Sequence, residues 1–240
     1  MADFLLIHGS CHGAWCWRDL IPALTARGHT ARAIDLPGHG ADTTPYTEVT
    51  LEGYAQAILD AIDDAPIEPA MLVGHSMAGF PISLAAEMAP EKIARLVYLC
   101  AYAAQDGRSL VEMRAEAPYQ PMAEAALKTE DGLAFSVDPI KAPALFYNDC
   151  PPQAVEYALP RLCLQAIKPQ ATPIRLGAAY GSVKRSYIRC DDDRTIPPEY
   201  QRVMTAGWPE ADVHAMQTGH SPFFADPEGL ADLLTRIAKG

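Results

Sequence analysis

The stretch Val73-Gly74-His75-Ser76-Met77-Ala78-Gly79 places a serine between a predicted strand and a predicted helix. Residues 70–73 form an apolar run typical of a buried strand, and residues 77–89 predict the helix that follows. A serine on such a sharp turn stands exposed above the sheet, and its small neighbours let strand and helix pack closely. The pattern predicts that Ser76 is a nucleophile, although Ala78 stands where the strict motif has glycine. An ordinary glycine-rich turn is the alternative.

Strands and helices alternate on both sides of this turn. Short apolar runs predict further strands at residues 4–8, 30–36, 93–100, 187–190 and 211–216. Helical spacing of apolar residues predicts helices at residues 17–24, 51–62, 197–206 and 227–238. Nearly continuous apolar strands with amphipathic helices between them indicate a parallel sheet covered on both faces. The predicted fold class is therefore α/β.

Residues 103–180 interrupt this alternation. They contain many of the prolines, together with short helical patches and numerous aromatic residues and leucines. We expect this segment to fold as a mainly helical cap over the sheet edge where the strands end. The chain is then one catalytic domain, with a core of residues 1–102 and 181–240 and a cap of residues 103–180.

Composition excludes several function classes. The net charge of −11 argues against nucleic acid and anionic membranes as partners, since both attract basic surfaces. No apolar stretch approaches the roughly 20 residues that span a bilayer, and no signal peptide is recognisable. The six cysteines are scattered without a CxxC pair, which favours reduced thiols in a cytoplasmic protein. The sequence leaves the oligomeric state open, a homodimer included.

A nucleophilic serine needs a base, and His220 is the strongest of the seven histidines. It lies in the stretch Thr218-Gly219-His220-Ser221-Pro222, after the last predicted strand and before the last helix. Loops at that edge of the sheet carry functional residues because a rigid scaffold positions them. A solvated loop histidine is the alternative. His75 adjoins the serine in sequence, but we expect its side chain to point away from the pocket.

The base needs an acid to orient it, and three adjacent aspartates follow the strand at residues 187–190. One of Asp191, Asp192 and Asp193 is expected to accept the imidazole N–H. A solvated acidic turn is the alternative. A metal site is less favoured, because no histidine or further acid lies nearby at ligand spacing. The predicted chemistry requires no metal and no cofactor.

An acyl-transfer site also needs donors for the oxyanion. The turn directs the backbone N–H of Met77 toward that position. The loop after the first strand can supply the second donor, because Gly9 lets the backbone turn and the N–H of Ser10 can point inward. We predict Ser10 and Met77 as the oxyanion-hole donors, with a simple glycine turn as the alternative for the first loop.

These features together resemble the α/β-hydrolase superfamily, and within it the branch of plant methylesterases and hydroxynitrile lyases. The matching stretches are His8-Gly9-Ser10-Cys11-His12-Gly13-Ala14-Trp15, Gly74-His75-Ser76-Met77, Tyr180-Gly181-Ser182-Val183-Lys184-Arg185, Ile196-Pro197 with Glu199-Tyr200-Gln201, and Gly219-His220. The turn at residues 37–40 looks more like general bacterial members of the superfamily, and the cap matches only loosely. The resemblance implies a six-stranded sheet in the order 2-1-3-4-5-6.

The resemblance also selects among the aspartates. The family's acid stands four positions before the proline of the Ile-Pro pair, which here is Asp193, with Asp192 as the second choice. The implied catalytic residues are Ser76, Asp193 and His220, in the chain order of this superfamily.

The resemblance favours an esterase over a lyase. The lyases of this branch have a lysine where Ser221 stands and a threonine where Gly9 stands. We therefore expect hydrolysis of a small or aromatic carboxylic ester through an acyl-enzyme intermediate. Hydroxynitrile lyase activity, carbon–carbon bond hydrolysis and non-catalytic sensing of a small ligand on the same fold stay as alternatives. The expected pocket-lining residues are Cys11, Tyr102, Tyr119, Phe146, Tyr147 and Phe223.

Overall fold

The computed structural model describes residues 1–64 and 69–240. Within these residues the strands are β1 (Asp3–Ile7), β2 (Thr30–Ile34), β3 (Ala70–His75), β4 (Ile93–Leu99), β5 (Ala126–Lys128), β6 (Ala134–Val137), β7 (Gln165–Ala166), β8 (Arg185–Cys190) and β9 (Val213–Met216). The α-helices are α1 (Leu20–Ala26), α2 (Leu51–Asp63), α3 (Gly79–Met88), α4 (Leu110–Ala115), α5 (Pro121–Ala125), α6 (Ala142–Phe146), α7 (Pro152–Ala158), α8 (Lys168–Ala171), α9 (Ala178–Ser182), α10 (Pro198–Met204), α11 (Pro222–Ala225) and α12 (Pro227–Ile237).

The main sheet has the strand order β2-β1-β3-β4-β8-β9, and every pairing in it is parallel. This confirms the predicted order 2-1-3-4-5-6. The central position of β3 brings its carboxyl end, and hence Ser76, to the middle of the sheet edge. Parallel strands share that edge, so the residues that follow β1, β4, β8 and β9 meet there as well.

The apolar runs form central strands because both faces of the sheet are covered. Along β1, Leu5 and Ile7 pack into the cluster that contains α2 and α3. The alternate residues Phe4 and Leu6 pack into the opposite cluster, which contains α1 and α12. Side chains of a strand alternate between faces, so a strand buried on both sides must be apolar throughout.

The helix after β3 begins later than the sequence predicts. Residues Ser76–Ala78 form a 3-10 turn, and the α-helix begins at Gly79. Pro81 then falls in the first turn of that helix, where its missing N–H would have had no intrahelical acceptor. The proline is therefore compatible with the helix and marks its start.

Residues 103–180, which we call the inserted segment, lie between β4 and β8 and contribute no strand to the main sheet. Helices α4 to α8 lie wholly within it, as the expectation of a mainly helical cap required. The segment also forms an antiparallel sheet, β5-β6-β7, that the sequence did not predict. Its strands are two to four residues long, too short to show an alternating pattern. No helix of the described residues is long and apolar enough to cross a membrane.

Candidate active site

Ser76 lies immediately after the central strand in a strained backbone conformation. Its φ of +57° is in the left-handed region, which is unusual for a residue with a side chain. A Cβ on Gly74 would lie 2.7 Å from Ile82 Cδ1, and one on Gly79 would overlap the carbonyl oxygen of Tyr102. Only glycine fits at those two positions of the turn. Ala78 is helical at φ −63°, which explains why alanine is accepted there.

A buried carboxylate–imidazole pair lies at the same edge of the sheet. His220 Nδ1 is 2.8 Å from Asp193 Oδ2, and both side chains are almost fully buried. With Nδ1–H donated to the carboxylate, Nε2 is the ring nitrogen left for chemistry in the cavity. Ser76 and His220 line one cavity, so the structure brings together the three residues that the resemblance implied.

The other two aspartates of the acidic run point elsewhere. Asp191 accepts hydrogen bonds from Arg202 Nη2 (3.2 Å) and Gln217 Nε2 (2.9 Å), near the surface. Asp192 is exposed, and its backbone N–H donates to Thr218 O (3.0 Å). Among the three, Asp193 is the one hydrogen bonded to an imidazole.

The Asp193 carboxylate is held by three donors besides the imidazole. Oδ1 accepts the backbone N–H groups of Thr195 (2.7 Å) and Ile196 (2.9 Å). Oδ2 also accepts from Gln201 Nε2 (2.9 Å), a fully buried side chain on α10. A carboxylate with four donors is fixed in orientation. Sequence reasoning assigned no role to Gln201, although a polar residue on the buried face of α10 is a recognisable signal.

His75 supports the backbone of His220. Its Nε2–H donates to the His220 carbonyl oxygen (2.8 Å), and the two rings lie 4.5 Å apart between centroids. Burial lowers the pKa of His75 well below its ordinary value, so the ring is neutral. His75 is one of the residues beside the cavity, and its ring packs edge-on against Trp17 and Phe223 in the core.

Ser10 also reaches this cavity, from the loop after β1. Its hydroxyl accepts from Gln170 Nε2 (2.8 Å), and its carbonyl accepts from His12 Nδ1 (2.8 Å). The Ser10 backbone N–H has no acceptor among the described residues, which leaves it free for a substrate oxygen. Met77 follows Ser76 directly in the turn and is buried.

The cavity is bounded by the core and by the inserted segment, and it is narrow, with a volume of about 20 Å³ open to the centre of a water-sized sphere. The core contributes Ser10, His75, Ser76, Tyr102, Thr195, Ile196 and His220, and the inserted segment contributes Leu110, Arg114, Met122, Phe135, Phe146 and Gln170. This is room for about one water molecule, so a substrate would have to extend beyond this cavity. Arg114 is the one side chain of this set that carries a permanent charge.

Two of the six residues expected to line the pocket do so, namely Tyr102 and Phe146. The other four lie outside the cavity. Cys11 and Phe223 are fully buried in the core, and Tyr147 is buried with its hydroxyl 2.8 Å from His12 Nε2. Tyr119 is 48% exposed on the inserted segment.

His75, Cys100 and His220 form a group whose potential metal-binding atoms lie within 4.8 Å of one another. Several of these atoms already have partners: His75 Nε2 binds the His220 carbonyl, and His220 Nδ1 binds Asp193. Burial raises the pKa of the Cys100 thiol, whereas a metal ligand must be a thiolate. The group therefore fits a hydrogen-bonded network around His220 better than a metal site.

The chain belongs to the alpha/beta hydrolase family, whose sequence profile matches residues 4–233. Two plant proteins are similar along nearly the whole chain. Methylesterase 1 of Arabidopsis thaliana is 34% identical, with 98% of this chain and 95% of that protein aligned. Esterase PIR7B of Oryza sativa subsp. japonica is 32% identical over the same shares of the two chains.

A solved bacterial structure is similar in fold. The pyrethroid hydrolase from Sphingobium faniae JZ-2 superimposes with a TM-score of 0.89 at 26% identity, covering 100% of this chain and 98% of that one. Likeness over both whole chains means that the inserted segment is matched as well as the core.

Proposed function

We propose that this protein hydrolyses a carboxylic ester with Ser76 as nucleophile, His220 as general base and Asp193 as the acid that orients the base. The observation that carries the proposal is the buried His220–Asp193 hydrogen bond (2.8 Å), next to a cavity lined by both Ser76 and His220. The relatives named methylesterase and esterase support the reaction class.

The proposed reaction has two steps. Ser76 Oγ attacks the ester carbonyl while His220 Nε2 takes the hydroxyl proton, and that proton then leaves with the alcohol. Water, deprotonated by the same nitrogen, attacks the acyl-enzyme and releases the acid. The backbone N–H groups of Ser10 and Met77 would hold the oxyanion in both steps, and losing one such donor costs about 10²–10³ in rate.

The cavity supports a small or aromatic ester. Tyr102, Phe135 and Phe146 give it an aromatic lining, which suits a small apolar or aromatic group. The names of the plant relatives favour a methyl ester. A cytoplasmic location, a homodimer, and the absence of nucleic acid and membrane partners stay predictions from the sequence.

Hydroxynitrile cleavage is the alternative that the site lets us test most directly. A lyase of this kind needs a cation near the base, and Ser221 does not supply one. Arg114 of the inserted segment is a cation on the same cavity wall. Gly9, however, stands where the lyases of this branch have a threonine, and this difference favours ester hydrolysis over the lyase.

The proposal is tested with a panel of p-nitrophenyl esters and, in parallel, mandelonitrile. We expect ester turnover that Ser76→Ala lowers by about 10⁴-fold or more. Unchanged turnover in Ser76→Ala would overturn the mechanism, and cyanide release faster than ester hydrolysis would establish a lyase instead. If no ester is turned over and the protein binds a partner only when a ligand is present, the protein is a sensor. If it cleaves a diketone in preference to the esters, it is a carbon–carbon bond hydrolase.

The acid is tested separately with a matched pair of variants. Asp193→Asn should lower kcat strongly, because the carboxylate that fixes the His220 tautomer is lost. Asp192→Asn makes the same chemical change on an exposed neighbour and should leave kcat within about twofold of the wild type. The reverse result would assign the role to Asp192.

A further inference from the structure

Arg114 stands where the catalytic cavity meets a second, larger cavity. The outer cavity has a volume of about 690 Å³ and is lined entirely by the inserted segment. Arg114, Met122, Phe135 and Gln170 line both cavities and so form the wall between them. A substrate that reaches Ser76 through the outer cavity must pass the Arg114 side chain.

The Arg114 guanidinium has no carboxylate within ion-pair distance in the part of the chain that the structure describes. Nearby Arg108, by contrast, is paired with Glu116 at 2.5 Å. Arg114 is partly buried, and a guanidinium on a cavity wall is stabilised by an anionic partner. We therefore expect the ligand to supply the anionic partner of Arg114.

The outer cavity is positively charged within an acidic protein. Its lining includes Arg114 and Lys128 and no acidic residue, although the chain as a whole carries a net charge of −11. A local cluster of one sign raises the concentration of oppositely charged ligands at the site. The net negative charge of the chain would repel anionic ligands, so the charge of this cavity lining is opposite in sign to that of the chain as a whole.

The apolar residues between the two cavities indicate the shape of the ligand. Met122 and Phe135 share the wall with Arg114 and suit a hydrocarbon chain. One guanidinium at the passage matches one planar carboxylate, which it binds through two parallel N–H groups. A dianionic phosphate would call for a second cation inside the catalytic cavity, and none of its described lining residues supplies one.

We propose that the substrate is a half-ester of a dicarboxylic acid, with its ester carbonyl at Ser76 and its free carboxylate bound by Arg114 at the passage between the cavities. This inference rests on the proposed ester hydrolysis. Hydrolysis consumes one water and releases the alcohol and the dicarboxylate. Lys128, farther out in the same lining, attracts the anion as it enters.

The test compares monomethyl esters of straight-chain dicarboxylic acids, from four to eight carbons, with methyl esters that end in a primary amide. The two ends have nearly the same shape, but only the carboxylate is charged at pH 7.5. We expect kcat/KM for the acid to exceed that for the amide at least about tenfold at the best chain length, as a charge-assisted hydrogen bond provides. The preference should shrink as salt is added.

Three variants assign the preference to Arg114. Arg114→Gln should abolish the preference for the acid over the amide, and Arg114→Lys should retain part of it. Arg175→Gln removes the same charge from an exposed site of the inserted segment that lines neither cavity, and should change nothing. Equal turnover of acid and amide at every chain length would overturn the inference, as would an equal loss for both in Arg114→Gln.

Failure of this inference can be told from failure of the proposed function. Turnover of the neutral amide series that is lost in Ser76→Ala supports ester hydrolysis whatever Arg114 does. If no ester is turned over, titration calorimetry of the Ser76→Ala protein with the half-ester still decides on Arg114. Tighter binding of the acid than of the amide, lost in Arg114→Gln, supports the subsite, and equal binding overturns it.

Discussion

Replacing Gly9 with alanine tests whether the space beside Ser76 is needed for catalysis. A Cβ built on Gly9 would lie 2.8 Å from His75 Nδ1 and 2.9 Å from Ser76 Cβ. Ordinary van der Waals contacts begin at 3.4 Å, so both groups would have to move by about half an ångström. The added methyl group therefore acts on Ser76, the proposed nucleophile, and on His75, which is hydrogen bonded to the proposed base His220.

Neither group can move without affecting the reaction. The His75 ring donates to the His220 carbonyl (2.8 Å) and packs edge-on against Phe223, with centroids 5.0 Å apart. Ser76 is fixed by the hydrogen bond from Tyr102 N–H to its carbonyl (3.1 Å). Overpacking a dense core costs about 1–3 kcal/mol. If displacing Ser76 from the proposed oxyanion donors has the effect of losing one donor, the rate of ester hydrolysis falls by about 10²–10³-fold.

We expect Gly9→Ala to lower kcat on a p-nitrophenyl ester by about 10²-fold, and the free energy of unfolding in urea by about 1–3 kcal/mol. Gly181→Ala is the matched control, because a Cβ there meets nothing within 4 Å. It should leave both quantities close to those of the wild type. A Gly9→Ala protein with kcat within threefold of the wild type would refute the reasoning.

Three further predictions concern stability. Tyr147→Phe removes the hydroxyl that lies 2.8 Å from His12 Nε2 and should lower the free energy of unfolding by about 1–3 kcal/mol. The control variant Tyr157→Phe should change that free energy little. Equal urea-unfolding midpoints for the two variants would contradict the prediction. Burial lowers the pKa of His12 to about 4, while an unfolded imidazole titrates near 6.5. Below pH 6.5 the unfolded chain thus binds more protons than the folded chain, and the free energy of unfolding should fall by up to about 3 kcal/mol as the pH falls to 4. A free energy of unfolding in urea that stays constant between pH 7 and 4 would contradict this prediction. Arg32→Met leaves the buried Asp3 carboxylate without its ion-pair partner (2.5 Å) and should cost about 3 kcal/mol; a loss below about 0.5 kcal/mol in thermal or urea unfolding would show that the pair contributes nothing.

The main sheet could be predicted from sequence because its strands are encoded locally. A strand buried on both faces must be apolar along its whole length, and β1 and β3 are buried at every residue. The helix that begins at Gly79 and the turn before it are likewise encoded by neighbouring residues. Local encoding also made Ser76 the strongest candidate, since a strand, a sharp turn and a helix follow one another directly.

The pocket lining could not be predicted in the same way, because it depends on contacts between residues distant in sequence. Arg114, Phe135 and Gln170 come from three separate elements of the inserted segment and meet only in the folded chain. An aromatic residue in this segment can face the cavity, as Phe146 does, or the solvent, as Tyr119 does. Nothing in the local sequence distinguishes the two cases.

The strained backbone at Ser76 is held in place by the end of the neighbouring strand. Cys100, directly after β4, also has a positive φ (+35°), and its N–H donates to Ile188 O on β8 (2.8 Å). This bend returns the chain over the turn, so that Tyr102 N–H donates to the Ser76 carbonyl (3.1 Å) and the Tyr102 carbonyl packs against Gly79. A negative φ at Ser76 would break the hydrogen bond from Tyr102 N–H. A side chain at Gly79 would collide with the Tyr102 carbonyl. The two residues with positive φ, Ser76 and Cys100, follow adjacent strands and are thus held by contacts between the same two segments of the chain.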